Sequence, residues 1–569
     1  MIQETLVEAL TEAARAAAPG LGLDPGALPE PELSRPRQKG HGDWATNLAL
    51  VLAPKVGRPP RAVAEAIAGA FPDLDVVEGV DVAGPGFINL RLRSVWLHDV
   101  LAEILREGPA FGLRPTARGE RVQVEFVSAN PTGPLHVGTA RNAALGDAVA
   151  SILEADGYDV EREYYWNDAG TQMEAFAASV EARYLEHFGR EAAIPEGGYQ
   201  GEYVRDIAEA IAADRGDSLI DAPAEERRAA IAREAYERTL EGIRDTLGRF
   251  GITFDSFLSA RLFYETGAIE EAVATLREAG YVYEADGATW FRSTAFGDDK
   301  DRVLIRRTGL PTYFAEDCAY VLDKAARGYA RMIYVWGADH HGDVRRVLGA
   351  AEALGVDPSR VEILLYQFVN LSRGGEQAKM SKRAGDVVTL DELIDEVGRD
   401  AARYTLLARS SDSTIDFDIE AVTRQTMDNP VFYVQYAHAR IASLLRVAQQ
   451  RGVALPPWEE VDLRVLTDEP ELDLLRTLSE LPEIRELAAA TLAPHRLARY
   501  IEDAAAVFHR FYTECRVITE DEARTHARLW LSAAAKQVIG TSLRLLGVGA
   551  PESMERLDDG EPGDDGEDG

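Results

Sequence analysis

The sequence contains very little lysine. Lysine occurs only at positions 39, 55, 300, 324, 379, 382 and 536 of the 569 residues, so arginine supplies most of the positive charge. Aspartate and glutamate number 96 against 61 lysines and arginines, and the formal net charge is -35. Such a surface has the wrong sign for binding a polyanion through charge alone. At molar salt, however, the Debye length falls to about 3 Å and repulsion within an acidic surface costs little. The composition therefore favours a halophilic source, with an acidic protein from a low-salt organism as the alternative.

Cysteine and long apolar runs are also scarce. The two cysteines, Cys318 and Cys515, stand alone, with neither a disulfide framework nor the paired spacing of a zinc site. We expect both to be small buried hydrophobes, with no zinc and no other metal held by the protein. No run approaches about 18 uninterrupted apolar residues, and the N-terminus lacks the pattern of a secretory signal. The sequence predicts a cytoplasmic protein without a membrane partner, and its length predicts three or four domains.

A parallel strand-helix-strand unit is predicted in the first third of the chain. Alternating apolar residues at 122–126 are typical of a strand, and the proline- and glycine-rich stretch 128–138 predicts a tight connection. Apolar residues at helical spacing follow Thr139, and a second extended segment covers 159–166. This turn would leave His136 and backbone amides at a helix N-terminus, which attracts phosphate. A lone histidine in a turn is more often a plain surface or capping residue, so the motif needs a second signal.

That second signal lies far downstream. The segment Gln377-Ala-Lys-Met-Ser-Lys-Arg383 follows a pair of glycines and is basic, as a phosphate-binding loop would be. With both motifs the chain resembles a class I aminoacyl-tRNA synthetase, whose signatures are an early His-Ile-Gly-His and a late Lys-Met-Ser-Lys-Ser. Thr139 and Arg383 depart from these signatures, replacing a histidine and a serine. The resemblance is closest to the arginyl-tRNA synthetases, in the segments Glu125-Phe-Val-Ser-Ala-Asn-Pro-Thr-Gly-Pro-Leu-His136, Tyr164-Tyr-Trp-Asn-Asp-Ala-Gly170, Trp336-Gly-Ala-Asp-His-His-Gly342 and Asn429-Pro-Val-Phe-Tyr-Val-Gln-Tyr-Ala-His-Ala-Arg440.

The resemblance implies an α/β fold with a Rossmann-like class I synthetase catalytic domain, an α+β N-terminal module and an all-α C-terminal anticodon-binding bundle. Buried parallel strands are expected at 302–306, 331–336 and 362–371, and one strand at 81–93. A polar connector is expected at 410–418. The expected domains are an N-terminal tRNA D-loop-binding module (1–95), a catalytic domain (96–390) with a helical insertion at about 171–287, a connecting helical region (391–428), an anticodon-binding domain (429–556) and a disordered acidic tail (557–569).

The resemblance further implies ATP-dependent attachment of L-arginine to tRNA(Arg) through an arginyl-adenylate, with substrate-bound Mg²⁺ and a monomeric enzyme. Two alternative functions remain open. One is a class I synthetase for another amino acid, and the acidic residues Glu125 and Asp317 argue against a neutral side chain as its substrate. A non-catalytic tRNA-binding paralogue would have no need of both phosphate signatures.

Both signatures are implied to handle ATP. The implied catalytic residues are His136, Lys379 and Lys382, since they can stabilise charge on the phosphates and on the leaving pyrophosphate. Two of only seven lysines fall in the late signature, which argues against a chance placement. The implied ATP-binding residues are Pro134, His136, Gly138, Thr139, Met380 and Ser381.

A guanidinium substrate needs acidic partners in fork geometry, and Glu125 and Asp317 are the candidates. Tyr313 lies four residues before Asp317, so the two share a face if that piece is helical. By resemblance Tyr313 and Asp317 bind the guanidinium, while Ser128 and Asn130 hold the amino and carboxylate end. Without the family resemblance, Tyr313 would be interpreted as a packed ring and Asp317 as a helix cap. The implied arginine-binding set is Glu125, Ser128, Asn130, Tyr313, Asp317, Asp339 and His340.

Contacts to tRNA are implied at both ends of the chain. Phe87 would stack on an exposed D-loop base and Asn89 would hydrogen-bond to it, which suits an aromatic and an amide on one strand face. The alternative is that the two simply build a strand edge. In the C-terminal bundle the candidates for unstacked anticodon bases are Tyr433, Tyr436 and Arg440, against a purely structural bundle.

Overall fold

The computed structural model describes residues 2–36, 39–114, 118–168, 171–377 and 388–554. None of the described helices is long and apolar enough to cross a membrane. The chain forms two compact units. The first comprises Met1–Gly108, Gly452–Ser479 and Arg510–Ala534, and the second comprises Pro109–Arg451, Glu480–His509 and Ala535–Gly569.

The first unit begins with a four-stranded antiparallel sheet and four helices. The strand order is β1-β2-β4-β3. The single strand predicted at 81–93 is wrong, because Gly84, with φ 53°, turns the chain there and produces a hairpin of β3 and β4. The elements are α1 (Ile2–Leu21), β1 (Leu33–Ser34), β2 (Trp44–Thr46), α2 (Leu48–Val56), α3 (Pro60–Gly69), β3 (Val77–Ala83), β4 (Phe87–Leu92) and α4 (Val95–Glu107).

A five-stranded parallel sheet dominates the second unit, in the order β12-β11-β5-β6-β7. The predicted strand-helix-strand unit is confirmed as β5, α5 and β6. Helix α5 is buried along nearly its whole length, which explains why alanine and glycine are frequent in it. The elements are β5 (Arg121–Glu125), α5 (Val137–Ala155), β6 (Asp159–Trp166), α6 (Thr171–His187), α7 (Glu202–Arg215), α8 (Ala224–Arg249), β7 (Ser256–Ser259), α9 (Arg261–Thr266), α10 (Ala268–Glu278), β8 (Val282–Ala285), β9 (Ala288–Phe291), β10 (Arg302–Ile305), α11 (Tyr313–Ala326), β11 (Arg331–Gly337), α12 (His341–Ala353) and β12 (Val361–Tyr366).

Two predictions for this unit, one strand and the helical insertion, need correction. The strand expected at 302–306 exists as β10, but it lies in a separate antiparallel sheet ordered β10-β9-β8. The helical insertion expected at 171–287 contains β7, which pairs in parallel with β6 and so belongs to the main sheet. Helices α6, α7 and α8 have an apolar core of their own, formed by Phe176, Val180, Tyr184, Val204, Ala208, Ile211, Ala212, Ile231 and Ala235.

The segment after the main sheet forms a small third sheet and short helices. The strand expected at 362–371 is two strands, β12 and β13, and the polar connector expected at 410–418 contains β15, which pairs in parallel with β13. The predicted helix start at Thr389 is confirmed, with a capping box formed by Thr389 and Glu392. The elements are β13 (Val369–Arg373), β14 (Glu376–Gln377), α13 (Leu390–Val397), α14 (Arg399–Leu407), β15 (Ile415–Asp418) and α15 (Ile419–Thr423).

The C-terminal part of the described chain is helical. Its helices alternate between the two units, since α17 lies in the first unit and α19 and α20 contribute residues to both. They are α16 (Pro430–Gln450), α17 (Glu469–Leu478), α18 (Leu481–Ala490), α19 (His495–Glu514) and α20 (Glu522–Leu545).

Candidate active site at the end of the parallel sheet

The backbone turns sharply where β5 ends. Val127 and Ser128 have φ of 65° and 40°, a region that L side chains rarely adopt. Hydrogen bonds from α5 and β11 hold this turn in place. The Val127 N–H donates to Asn142 Oδ1 at 2.5 Å, and Asn142 Nδ2 donates to the carbonyl of Val335 at 2.8 Å. Backbone held in a sparsely populated conformation by its surroundings is typical of functional sites.

His136 stands at the N-terminus of α5, as the sequence predicted. It is the N-cap residue, with extended backbone. A Cβ on Gly138 would lie 2.9 Å from ring atoms of His136, so the glycine is what lets the imidazole lie against the first helical turn. The Thr139 hydroxyl is 3.5 Å from His136 Nε2. Pro134 precedes the helix on the surface. The first turn of α5 therefore presents a histidine, a hydroxyl and the positive end of the helix dipole together, a combination that suits phosphate.

Residues that follow the late signature pair with the early motif. Lys379, Met380, Ser381 and Lys382 lie outside the described residues. The described chain resumes at Val388, beside His136. There the N–H of Val137 donates to the carbonyl of Val388 at 3.2 Å, and the N–H of Leu390 donates to the carbonyl of Leu135 at 2.8 Å. On the near side, β13 and β14 form a hairpin that ends at Gln377. The described residues that follow the late segment are thus in contact with the early motif.

Asp317 and Tyr313 lie on one face of α11, so the predicted helix is confirmed. Tyr313 is 47% exposed. None of the described residues donates a hydrogen bond to the Asp317 carboxylate or forms an ion pair with it. Burial raises the pKa of this carboxyl to about 7, with Arg346 opposing the shift and Glu316 and Glu125 adding to it. Among the described residues, Asp317 is therefore an acidic group without a bonded cation.

Glu125, at the end of β5, differs from Asp317 in having partners within the chain. One of its oxygens accepts a hydrogen bond from Ser128 Oγ at 2.7 Å, and the other lies 3.1 Å from Lys324 Nζ. Ser128 Oγ in turn accepts from the N–H of Tyr165 at 3.2 Å. Sequence reasoning missed Lys324. Its position seven residues after Asp317, two helical turns along the same face, was the available signal.

The loop between β5 and α5 is held by residues of α6, α7 and β6 that sequence reasoning also missed. Asn130 Nδ2 donates to Gln172 Oε1 at 2.5 Å. The Tyr203 hydroxyl donates to the carbonyl of Thr132 at 3.0 Å, and a Cβ on Gly133 would lie 2.9 Å from the Tyr203 ring. The Tyr164 hydroxyl bonds to both backbone groups of Ala129, at 3.0 and 3.1 Å. The segment that begins at Tyr164 was recognised in the sequence, but the contacts of both tyrosines join distant segments and could not be predicted from it.

Asp339 and His340 form a short helical turn directly after β11. His340 Nδ1 lies 3.1 Å from an oxygen of Asp343, and its Nε2 lies 3.7 Å from an oxygen of Asp339. Both predicted residues therefore reach the carboxyl edge of the sheet, which is where ligands of open α/β sheets bind.

The predicted tRNA-binding residues are divided between the two units. Phe87 and Asn89 belong to the first unit, and Tyr433, Tyr436 and Arg440 belong to the second. Phe87 begins β4 and is 39% exposed, whereas Asn89 is only 5% exposed. On α16 the rings of Tyr433 and Tyr436 lie 5.1 and 6.1 Å from the ring of His509, and Arg440 lies over Tyr436 at 5.9 Å. The α16 face is thus aromatic and basic, the character that unstacked bases require.

One cluster of potential metal ligands occurs among the described residues, formed by Asp468, Glu471 and Cys515. Arg528 already bonds both carboxylates, each at 2.7 Å. The Arg528 guanidinium therefore already serves as the cation of this cluster, in the place that a metal ion would take.

Comparison with known families agrees with this geometry along the whole chain. The family model described as tRNA synthetases class I (R), catalytic domain, matches residues 101–443. The model of the arginyl tRNA synthetase N terminal domain matches residues 1–92, and that of the DALR anticodon binding domain matches residues 434–554.

Individual relatives give the same result. The arginine–tRNA ligase of Moorella thermoacetica is 49% identical over 559 residues, which cover 97% of this chain and 100% of that protein. That of Desulforamulus reducens is 48% identical over 557 residues, covering 97% and 99%. The solved structure of Thermus thermophilus arginyl-tRNA synthetase matches with a TM-score of 0.76 at 26% identity, covering 96% of this chain and 100% of that one. The chain therefore belongs to the arginyl-tRNA synthetases, a family of class I aminoacyl-tRNA synthetases.

Proposed function

We propose that the site at the end of the parallel sheet attaches L-arginine to tRNA(Arg) at the expense of ATP, through an arginyl-adenylate, with AMP and pyrophosphate as the other products. The observation that carries this proposal is the Asp317 carboxylate, which has no bonded cation among the described residues and lies near enough to Glu125, at the end of β5, for the two charges to interact. An acidic group awaiting a cation fits a guanidinium substrate, and a neutral amino acid would leave it uncompensated.

The first step is an in-line displacement, in which the arginine carboxylate attacks the α-phosphate of ATP and pyrophosphate leaves. The protein mainly positions the groups and neutralises charge. Phosphates lie against His136 and the first turn of α5, where Pro134, Gly138 and Thr139 shape the contact. The cradle that Gly138 leaves for the His136 ring supports this assignment. Mg²⁺ enters bound to ATP as part of the substrate.

Lys379 and Lys382 neutralise the leaving pyrophosphate, with Met380 and Ser381 contributing to the ATP contact. Support comes from the backbone pairing that returns the chain to His136 directly after this segment. In the second step a ribose hydroxyl at the tRNA terminus, the 2′ hydroxyl by class I habit, attacks the adenylate carbonyl and releases AMP.

Arginine lies between α11 and the end of β5. Asp317 and Tyr313 hold the guanidinium, while Ser128 and Asn130 hold the amino and carboxylate end. Glu125 is the second acidic partner of the guanidinium, because it lies near Asp317 and keeps lone pairs that can accept from that cation although one oxygen already accepts from Ser128 Oγ. Asp339 and His340 close the edge of the same site from β11.

The outer parts of the chain bind tRNA. The module of residues 1–95 contacts the D-loop through Phe87 and Asn89, of which Phe87 is accessible enough to stack on a base. The bundle of residues 429–556 takes the anticodon against Tyr433, Tyr436 and Arg440. The catalytic domain at 96–390 and the connecting region at 391–428 lie between them in the sequence, and the acidic segment 557–569 lies outside the described residues.

The enzyme works as a cytoplasmic monomer without zinc and requires high salt. The salt requirement is supported by the net charge of -35. Aminoacylation should therefore rise severalfold from about 0.1 M to about 2 M KCl, where surface repulsion is screened. Full activity and an unchanged melting temperature at the lower salt would remove the halophilic assignment.

Arginine-dependent exchange between ATP and pyrophosphate tests the proposed reaction. Exchange that requires tRNA(Arg) supports the amino acid, the adenylate and an active site completed by induced fit. Exchange without tRNA keeps the reaction and removes the induced fit. An absence of exchange with arginine under both conditions contradicts the function and points to a non-catalytic paralogue.

A further inference from the structure

Lys324 lies at the floor of the proposed arginine site, in a cage made by the protein itself. The residue is on α11 and its side chain is 0% exposed. Its ammonium lies 3.4 Å from the ring centroid of Tyr334 and 4.0 Å from that of Tyr320. The third wall is Glu125, whose carboxylate oxygen is 3.1 Å from Lys324 Nζ. Two aromatic faces and one carboxylate form the kind of pocket that proteins use to bind a cationic ligand, and here the chain supplies the cation.

The surrounding side chains hold this arrangement in place. Tyr320 donates its hydroxyl to Glu163 at 2.5 Å, and Arg327 donates to both oxygens of Glu163 at 2.5 and 2.9 Å. Burial lowers the pKa of the Lys324 ammonium, while Glu125 and Glu163 counteract that shift and favour the charged form. Because these partners come from α11, β5 and β6, Lys324 has little freedom to leave Glu125 when a substrate arrives.

Two carboxylates therefore lie near the substrate, and they differ in their internal partners. Glu125 is held at both oxygens, by Ser128 on one side and by Lys324 on the other. No described residue bonds the Asp317 carboxylate. Arginine brings a guanidinium, an ammonium and a carboxylate. With Lys324 present, the two protein carboxylates and the substrate carboxylate face three cations, so the charges of the site balance when arginine is bound.

We propose that Lys324 is a positioning and specificity-determining residue of the arginine site. It fixes the Glu125 carboxylate in one orientation towards the guanidinium and offsets part of its charge, so that Glu125 and Asp317 together face two cations, Lys324 and the substrate guanidinium. This inference rests on the proposed placement of arginine between Glu125 and Asp317. Lys324 touches neither ATP nor the reacting atoms, so it acts through Glu125.

The test is steady-state aminoacylation by the full-length enzyme with tRNA(Arg), measured for Lys324→Met, Glu125→Gln and the double variant. Methionine keeps most of the volume of lysine and removes its charge. We expect Lys324→Met to raise the KM for arginine by about tenfold or more, with the KM for ATP within about twofold of the wild type. A role confined to stability would instead reduce the amount of active enzyme and leave both KM values unchanged.

The double variant tests the mechanism even if Lys324→Met alone folds poorly. In the single variant the buried Glu125 carboxylate lacks its counter-cation, whereas in the double variant both residues are neutral. A glutamine at 125 needs no counter-cation, so adding Lys324→Met to Glu125→Gln should change the KM for arginine by less than about threefold. A further tenfold rise in the double variant would overturn the proposal.

Arg485→Met is the matched control, since Arg485 is another buried cation of the same unit, bonded to the carbonyl of Gly112 at 2.5 Å and paired with Asp156 at 3.3 Å. It should lower the melting temperature without raising the KM for arginine, and an equal rise in KM would overturn the proposal. An unchanged KM for arginine in Glu125→Gln would refute the placement of arginine at Glu125 and this inference with it. A raised KM in Glu125→Gln together with a normal KM in Lys324→Met would refute the inference alone.

Discussion

Asp147 and Asp317 are two acidic residues of the same unit with opposite surroundings. Asp147, in the middle of α5, accepts a hydrogen bond from Arg403 at 2.5 Å and lies 3.3 Å from Arg162. Arg403 is fully buried and also donates to the carbonyls of Phe250 and Leu546, at 3.1 and 3.2 Å. Around Asp317 no described residue provides a bonded cation. Under the proposed assignment, the Asp147 charge stabilises the fold and the Asp317 charge is kept for the arginine guanidinium.

The largest expected effect is that of Asp317→Asn on arginine use. The amide leaves the bound guanidinium half paired, so kcat/KM for arginine should fall by about 100-fold or more, equivalent to about 3 kcal/mol. The fold should not suffer, because the replaced carboxylate has no bonded cation among the described residues. Aminoacylation kinetics and thermal unfolding on the same preparation measure both quantities. A loss below about tenfold would count against the assignment of Asp317 to the guanidinium.

Asp147→Asn should give the reverse result. It leaves the buried guanidinium of Arg403 without its full counter-charge, and we expect the free energy of unfolding to fall by about 3 kcal/mol. The KM for arginine of the folded fraction should stay within about twofold of the wild type. Urea denaturation and aminoacylation kinetics check the two parts. If Asp147→Asn raised the KM for arginine as strongly as Asp317→Asn, the contrast between the two residues would be lost.

The pH dependence should also distinguish the two carboxylates. Asp317 must be ionised to bind arginine, and its pKa is raised to about 7. Below that pH, kcat/KM for arginine should fall by about tenfold per pH unit, and bound arginine should move the apparent pKa downward. The free energy of unfolding should change in the opposite sense to kcat/KM and fall as pH rises. Because the folded state holds this proton more tightly than the unfolded state, Asp317 reduces the free energy of unfolding as pH rises from about 4 to about 7. Asp317→Asn should remove both dependences, and a pH profile unchanged by that substitution would contradict the assignment.

Tyr203→Phe should have the smallest effect. It removes the hydroxyl that donates to the carbonyl of Thr132 in the loop before His136, at a cost of about 1 kcal/mol. We expect kcat to fall severalfold because the loop is less firmly positioned. Tyr184→Phe is the matched control, since Tyr184 also donates its hydroxyl to a carbonyl, that of Gly216 at 2.6 Å. The control should lose similar stability and keep its kcat. Equal kcat values in the two variants would remove any catalytic role for Tyr203.

The sequence was sufficient for features that depend on local pattern. Alternation and helical spacing predicted β5, α5 and β6, and the four-residue interval placed Tyr313 and Asp317 on one face of α11. Features that depend on distant partners were missed. Lys324 and Glu125 are 199 residues apart, and nothing near either residue predicts their contact.

The remaining errors have the same origin. An antiparallel strand such as β10 and a buried parallel strand have similar compositions, so the sheet to which β10 belongs could not be predicted. The left-handed backbone at Val127 and Ser128 is also invisible in the sequence, because neither residue is a glycine.

The hydrogen bond from Arg403 to the carbonyl of Leu546 can form only late in the synthesis of the chain. Helix α5 and residue Phe250 are synthesised long before residue 546, and Gly547 must then fit closely, since a Cβ there would lie 2.1 Å from the Arg403 guanidinium. Until the last part of the chain leaves the ribosome, a guanidinium at the centre of the unit lacks one of its acceptors. The interior of the second unit is therefore completed by residues that follow α20, and we expect a nascent chain to finish this part of its core only after the C-terminal helices have been made.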